Sequence, residues 1–358
     1  MVQVNSPIAE CWRAIWYYLV AAVTPRWRDV YKLNTVDVDH LASWIAHRLP
    51  FISGLYLSPQ NLRVTHVLNW GGFVNYSFSI NDGSAQYHLK ITSDLRSIRG
   101  LQRWHTLHSA LEKRYRAPKL IQWIDFSEIG FAGLLFEHLN GRTANLTNNQ
   151  VLLEKLIELA DGLHQDQEIR SHLRGSGPRR TYLKHFVETY IDRFTGDLET
   201  VATSQLPFIS STLLSWMQDE TGRLHEVASR VPAFQNPAIE AVHGDLNEGN
   251  ILVTAKDWFV VDWDDLAIGD PAVDFAVLLW PIVREGGEWR NFFKSGTEEG
   301  FVERIEICFR AQLLDEVIDS LADYVEARVV PSQRVDVQLV KRKRHEEALE
   351  KYRMTWRG

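Results

Sequence analysis

The chain has little cysteine: Cys11 and Cys308 are the only two in 358 residues. One pair of thiols makes neither a disulfide framework nor a zinc ligand set, which fits a reducing compartment and an expected cytoplasmic location. Long apolar runs are also missing. The nearest approach is CWRAIWYYLVAAV, Cys11 to Val23, which carries Arg13 and falls short of the roughly 20 apolar residues a membrane span needs. The opening MVQVNSPIAE contains no base, whereas a secretory leader begins with positive charge. This stretch reads as an amphipathic helix packed on the body, and no membrane partner is expected. No repeat period or low-complexity tract appears, which excludes a solenoid.

A net basic charge is absent as well. The formal charge is −7, unevenly spread: residues 1–140 carry +4 and residues 141–358 carry −11. The last eighteen residues hold seven bases and three acids, so residues 141–340 stand at −15. An acidic half excludes a nucleic-acid footprint and suits a small cationic partner.

What is present falls into two characters. TVDVDHLASWIAHRLP (Thr35–Pro50) has helical spacing, with Pro50 expected to end it. The period then becomes two: LRVTHVL, FVNYSFSI and AQYHLKIT are strand-like and separated by NWGG and NDGS. A helical stretch follows at Leu95–Arg116, then two more strands in PKLIQWIDF and FAGLLFEHL. Beyond Asn140, four long segments carry apolar residues at three- and four-residue steps, interrupted by the short strands NILV and WFVVDW. The fold class expected is α+β: a β-rich lobe, then a mainly helical lobe, with a cleft between them.

The interruption carries the chemistry. HGDLNEGNILV runs from His243 to Val253, and FVVDWDDLAIGDPAVDFA from Phe259 to Ala276. Carboxylates at this density repel and are costly to desolvate unless cations or fixed donors offset them. A hairpin of the two short strands would fold Asp262 back beside Asn250, giving two hard oxygen ligands of the kind Mg²⁺ prefers. Asp245 would then be free to accept a proton from an attacking hydroxyl, as in the phosphoryl-transfer template.

These two motifs resemble, in residues, order and separation, the phosphotransferase family that includes aminoglycoside phosphotransferases, choline kinases and fructosamine kinases. The resemblance covers roughly residues 62 to 281. It implies a protein-kinase-like two-lobed fold: a nucleotide-binding lobe at 61–140 and a helical lobe at 141–358 with the catalytic and metal loops; residues 1–60, outside the resemblance, are expected to form an N-terminal helical extension. It also implies that Asp245 is the catalytic base, that Asn250 and Asp262 hold Mg²⁺, and that His243 braces the loop. Asp270 and Asp274 are implied to organise the loop and the following helix. Gly71, Gly72 and Asn75 stand where such enzymes cover the phosphates of ATP, Lys90 where a strand lysine contacts them, and Glu137 to Leu139 where backbone meets the base. The implied reaction moves the γ-phosphoryl group of a nucleoside triphosphate to a small-molecule hydroxyl, of a cationic acceptor on the charge argument.

One part departs from the pattern. The window 12 to 18 residues past Lys90 reads Gln102 to His108 without an acid, where the family has a glutamate for the lysine; Asp94 is too early and Glu112 too late. The motifs also leave a non-catalytic kinase-like binding module open, and a metal-dependent phosphohydrolase built on Asp262, Asp264, Asp265 and His243. A protein kinase is disfavoured because no Asp-Phe-Gly or Ala-Pro-Glu follows Asp262.

Overall fold

In the second strand of the first lobe, Tyr76, Phe78 and Ile80 are buried while the residues between them are only half-buried, as the period of two requires. The computed structural model describes residues 38–52, 54, 55, 57, 58, 60–67, 75–174, 180–293, 298–327 and 334–356; the Cys11–Val23 stretch lies outside them. Strands β1 (Arg63–Val67), β2 (Tyr76–Asn81), β3 (Gln86–Thr92), β4 (Leu120–Phe126) and β5 (Phe131–Glu137) form one antiparallel sheet in the order β1-β2-β3-β5-β4. Helix α1 (Val38–Ile52) lays Ile45 and Leu49 into the same core as Phe78, Leu89, Ile91 and Phe126. The described part of the first sixty residues is therefore a layer of the first lobe. Pro50 does not end this helix, which runs to Ile52. It sits in the final turn, where its missing N–H forfeits a single backbone bond.

Helix α2 (Leu95–Tyr115) starts where Asp94 accepts a hydrogen bond from Ser97 N at 2.8 Å, a cap that satisfies one otherwise orphaned donor. Leu101, Trp104, Leu107, Leu111 and Tyr115 recur at three- and four-residue steps and are buried. That seam joins the core of the second lobe, with Leu134, Phe136 and Trp263. The helix thus couples the lobes.

The second lobe is built from α3 (Gln150–Gln165), α4 (Gln167–Leu173), α5 (Tyr182–Phe186), α6 (Asp192–Ser204), α7 (Ser211–Arg230), α8 (Pro271–Arg284), α9 (Glu299–Ala327) and α10 (Arg334–Thr355). RTYLKHFVETYIDRF, read from sequence as one helix, is two joined by a wide π turn at Val187–Ile191. Strands β6 (Gly141–Thr143), β8 (Ile251–Thr254) and β9 (Trp258–Val260) form one small sheet, and β7 (Glu240–Val242) pairs with β10 (Ala267–Gly269). These two small sheets present the loops that carry the acidic motifs.

Candidate active site

The β8–β9 hairpin forms as its sequence predicts, with Ile251 opposite Val260. Val261 N donates to Asn250 O at 2.9 Å, so Asn250 and the start of the Asp262 loop lie at one end of the hairpin. Asp245 is half-buried on the loop before it. Its two carboxylate oxygens accept from Asn247 Nδ2 at 2.7 Å and Asn250 Nδ2 at 2.9 Å. Asn250 Nδ2 also reaches Asp245 O at 2.9 Å. The Asp245 carboxylate is thus fixed by two amides, one of them from a residue that sequence reasoning left without a role.

His243 is buried and braces this loop. Its Nδ1 accepts from Asp245 N at 3.2 Å, which leaves Nε2–H to donate to Val261 O at 3.1 Å. Gly244 has φ +90°, and a Cβ there would stand 2.8 Å from Asp265 O, so only glycine fits the turn. Asp274, one turn into α8, accepts from His243 N at 2.8 Å and Gly244 N at 2.9 Å, while His164 lies 3.0 Å away. Burial opposes ionisation of Asp274, but the hydrogen bonds and charge of His164, with the amides, hold its carboxyl below the usual range. Asp270 caps α8 through Ala272 N and is paired with Arg304 at 2.8 Å.

Lys90 comes from the other lobe. It is buried on β3, and its ammonium binds Asp262 and, at 2.8 Å, Asp264 Oδ1. Burial alone would depress this lysine; the two carboxylates outweigh it and hold the ammonium above its ordinary range. Asn75 Nδ2 donates to the other oxygen of Asp264 at 2.9 Å. Gly71 and Gly72 lie outside the described residues.

The helix acid missing from the sequence has a replacement here. Asp94 is spent on its cap, and Glu112 accepts from Leu120 N at 2.8 Å. Asp264, two residues past Asp262, meets the lysine instead. Helix α2 passes so close to that loop that a Cβ on Gly100 would stand 2.3 Å from Asp264 O. Arg103 ties the two together, donating to Asp264 O and Leu266 O at 3.0 Å each. The signal available in the sequence was the acid pair directly after the Asp-Trp of VVDWDD.

Asp262 itself adopts φ 66°, ψ 55°, a left-handed conformation that costs a non-glycine residue about 1 kcal/mol or more and is tolerated best by Asn and Asp. Burial and the neighbouring Asp262 push the Asp264 carboxyl up to about 7. Asp265 is exposed on the cleft side; the protein atoms crowding it, with Asp264 and Asp245 near, raise its carboxyl to about 6. Four carboxylates around one lysine leave negative charge that a cation would offset. Among the described residues no three His, Cys, Asp or Glu side chains gather into a metal-holding group. Asn250 and Asp262 offer hard oxygen donors of the kind Mg²⁺ takes, with waters and phosphate oxygens as its other ligands.

The connection between the lobes is Glu137 to Gly141. The Glu137 amide donates to Lys119 O at 3.0 Å and its carboxylate accepts from Lys119 N at 2.9 Å. Leu139 O accepts from Gly141 N at 3.0 Å, and the Leu139 amide has no partner among the described residues. Beside Asp245 opens a cleft of about 1810 Å³, whose walls come from α2, the Val187–Ile191 turn, α9 and α10. Its acids are largely paired: Glu188 with Arg180, Asp315 with Arg193, Asp323 with Lys341, and Glu316 with Arg344 at 3.0 Å. Asp264 faces Lys90 and Asn75 instead of lining this cleft.

No curated protein sequence matches the chain. Solved structures share its fold. An APH(2")-IIia enzyme in complex with GDP and kanamycin aligns at TM-score 0.57 and 16% identity, covering 87% of this chain and 99% of that one. Choline kinase LicA from Streptococcus pneumoniae gives 0.55 and 15%, covering 87% and 99%, and choline kinase from Cryptosporidium parvum 0.52 and 16%, covering 89% and 96%. The protein-kinase-like α+β architecture is therefore the one expected. The model of the phosphotransferase enzyme family matches residues 65–304, spanning both lobes and every described site residue above except those of α1 and the C-terminal helices. The chain belongs to that phosphotransferase family.

Proposed function

We propose that this phosphotransferase moves the γ-phosphoryl group of ATP, with Mg²⁺, to a hydroxyl of a small molecule bearing one or more ammonium groups. The observation that carries the reading is the meeting of Lys90 from one lobe with Asp262 from the other, beside an Asp245 carboxylate oriented by two amides. Asp245 is the proton acceptor: it opens on the cleft, and Asn247 and Asn250 hold it in one orientation. Asn250 and Asp262 would hold the metal, which when bound neutralises charge developing on the phosphates. Lys90 would then turn from Asp262 to phosphate oxygens, with Gly71, Gly72 and Asn75 covering them. The Leu139 amide, beside Glu137, is the free donor for the base.

The charge of −15 over residues 141–340 supports a cationic acceptor, as do relatives whose structures hold kanamycin or that are choline kinases. A second reading has its own support. Arg96, Arg103, Arg174 and Arg180 line the cleft with Asp245, and among the described residues only Arg180 of these has a carboxylate within ion-pair distance. Guanidiniums in that number favour an acceptor with an acidic group. The test is ATP consumption with amino sugars, amino alcohols, neutral sugars and hydroxy acids as acceptors. Turnover of the amino compounds supports the proposal, and turnover of hydroxy acids alone supports the second reading. In either case Asp245→Asn is expected to lower kcat by roughly 10²-fold or more, the scale of general-base loss, with nucleotide affinity intact. Near-normal turnover in that variant would refute the assignment of the base.

A further inference from the structure

We propose that Asp264 is the positioning residue for Lys90, holding the ammonium in place when Asp262 turns to a cation. The inference rests on the phosphotransferase reading above. Lys90 has two carboxylate partners, Asp262 and Asp264. A metal ion at Asn250 and Asp262 draws on the first of them, which leaves the second as the fixed anion beside the lysine.

The surroundings of Asp264 match that task. Its two oxygens are divided between Lys90 Nζ at 2.8 Å and Asn75 Nδ2 at 2.9 Å, so the carboxylate joins β3 to the residue just before β2. Its carbonyl is gripped by Arg103 at 3.0 Å, and the missing side chain of Gly100 lets α2 close on it. One residue of the second lobe thereby meets β3, α2 and the entry to β2. Its side chain is only 12% exposed, against 29% for Asp262, so the Lys90–Asp264 contact is less screened and better fixed than the other. An acid serving only solubility would face water; this one faces the lysine.

The experiment is a double-mutant cycle on Lys90→Ala and Asp264→Asn in the full chain. Each variant is checked by circular dichroism, then measured for KM of ATP, KM of the acceptor, kcat, and affinity for a fluorescent nucleotide with and without Mg²⁺. Asp264→Asn is expected to weaken nucleotide binding about 10-fold, the scale of one charge-assisted contact, and to leave the acceptor KM unchanged. In the Lys90→Ala background it is expected to add nothing. Additive losses overturn the inference, because Asp264 then acts independently of the lysine. Tighter nucleotide binding in Asp264→Asn also overturns it, since Asp264 then restrains Lys90 instead of presenting it. If Asp264→Asn does not fold, Arg103→Lys serves. It loosens the grip on the Asp264 carbonyl and is expected to weaken binding about 3-fold only where Lys90 is present; an equal effect without Lys90 overturns the inference. A wild-type chain that binds no nucleotide refutes the phosphotransferase reading and this assignment with it. Binding with additive mutants refutes the assignment alone.

Discussion

Replacing Gly100 by alanine sets two effects of similar size against each other. A glycine inside a helix costs roughly 1 kcal/mol relative to alanine, and Gly100 lies within α2, so propensity alone makes Gly100→Ala stabilising. The new Cβ, however, would stand 2.3 Å from Asp264 O and 3.1 Å from Asp264 Cβ. Contacts below 3.0 Å are not tolerated, so the helix or the loop must retreat by about 0.7 Å at least, and by about 1 Å to reach ordinary contact. The obstacle is backbone and cannot rotate aside. A 1 Å retreat also stretches the two Arg103 bonds, now 3.0 Å each, beyond hydrogen-bonding distance. Losing both costs about 1–3 kcal/mol, and the remaining overlap about 1 kcal/mol or more. The clash therefore wins by about 1–3 kcal/mol. In a chain of this size the melting temperature falls by about 1–4 °C. Because the displaced group is Asp264, the KM for ATP should rise while the acceptor KM stays constant. Differential scanning fluorimetry and steady-state kinetics measure both. A rise in melting temperature with unchanged KM for ATP would refute the argument and show that the loop yields freely.

Asp262→Ala is expected to remove the dependence of nucleotide binding on divalent cation, leaving whatever weak binding the wild type shows with chelator; titration with and without Mg²⁺ checks this. His185 is buried under β10, with Nδ1 accepting from Asp270 N at 2.8 Å, and burial with the nearby Arg180 pushes it down to about 3. The unfolded chain then binds a proton that the folded chain refuses between pH 6.5 and about 3, so stability must fall as pH drops through that window. The contribution approaches about 1.4 kcal/mol per pH unit below pH 6. His185→Asn, which keeps an acceptor for the Asp270 amide, should flatten the slope of urea-unfolding free energy against pH by about that much. For a cationic acceptor, kcat/KM is expected to fall between about 50 and 500 mM salt, while that for MgATP changes less; equal salt dependence would count against steering by the acidic lobe.

Much of the active centre was legible because its parts are local. Asp245, Asn247 and Asn250 lie within six residues, and a hairpin of short strands brings Asp262 back by simple register. Pairing across the lobes was less readable. The lysine partner lies 174 residues away from Lys90, and the search for it ran along α2 because regular helical spacing is what a sequence displays. Asp264 was visible as an acid, but nothing in VVDWDD says which carboxylate turns inward; the left-handed backbone of Asp262 does that. Strands β6, β7 and β10, three residues each, are too short to show a period. Helix α10 was hidden for another reason. Its inward positions Val337, Lys341, His345, Ala348 and Tyr352 have helical spacing, but two of the five are polar or charged in a way that reads as surface. They are satisfied by Asp323 and the Val317 carbonyl, with Tyr352 reaching Glu220 at 2.6 Å.

Helices α9 and α10 supply the side of the cleft farthest along the chain from the catalytic loops, and they are held together by ion pairs as much as by apolar contact. Every residue of that hairpin follows Asp262 by at least 37 positions, whereas everything implicated in handling nucleotide precedes Asp270. On the proposed reading, part of the wall a guest would meet is thus written in a stretch of the polypeptide separate from the catalytic loops. Such an arrangement lets the α9–α10 hairpin drift, or be exchanged between homologues as a cassette, without rewriting the reaction centre. Its charged seam makes that drift gradual, since one re-paired arginine changes the charge a guest meets while the helices keep their places.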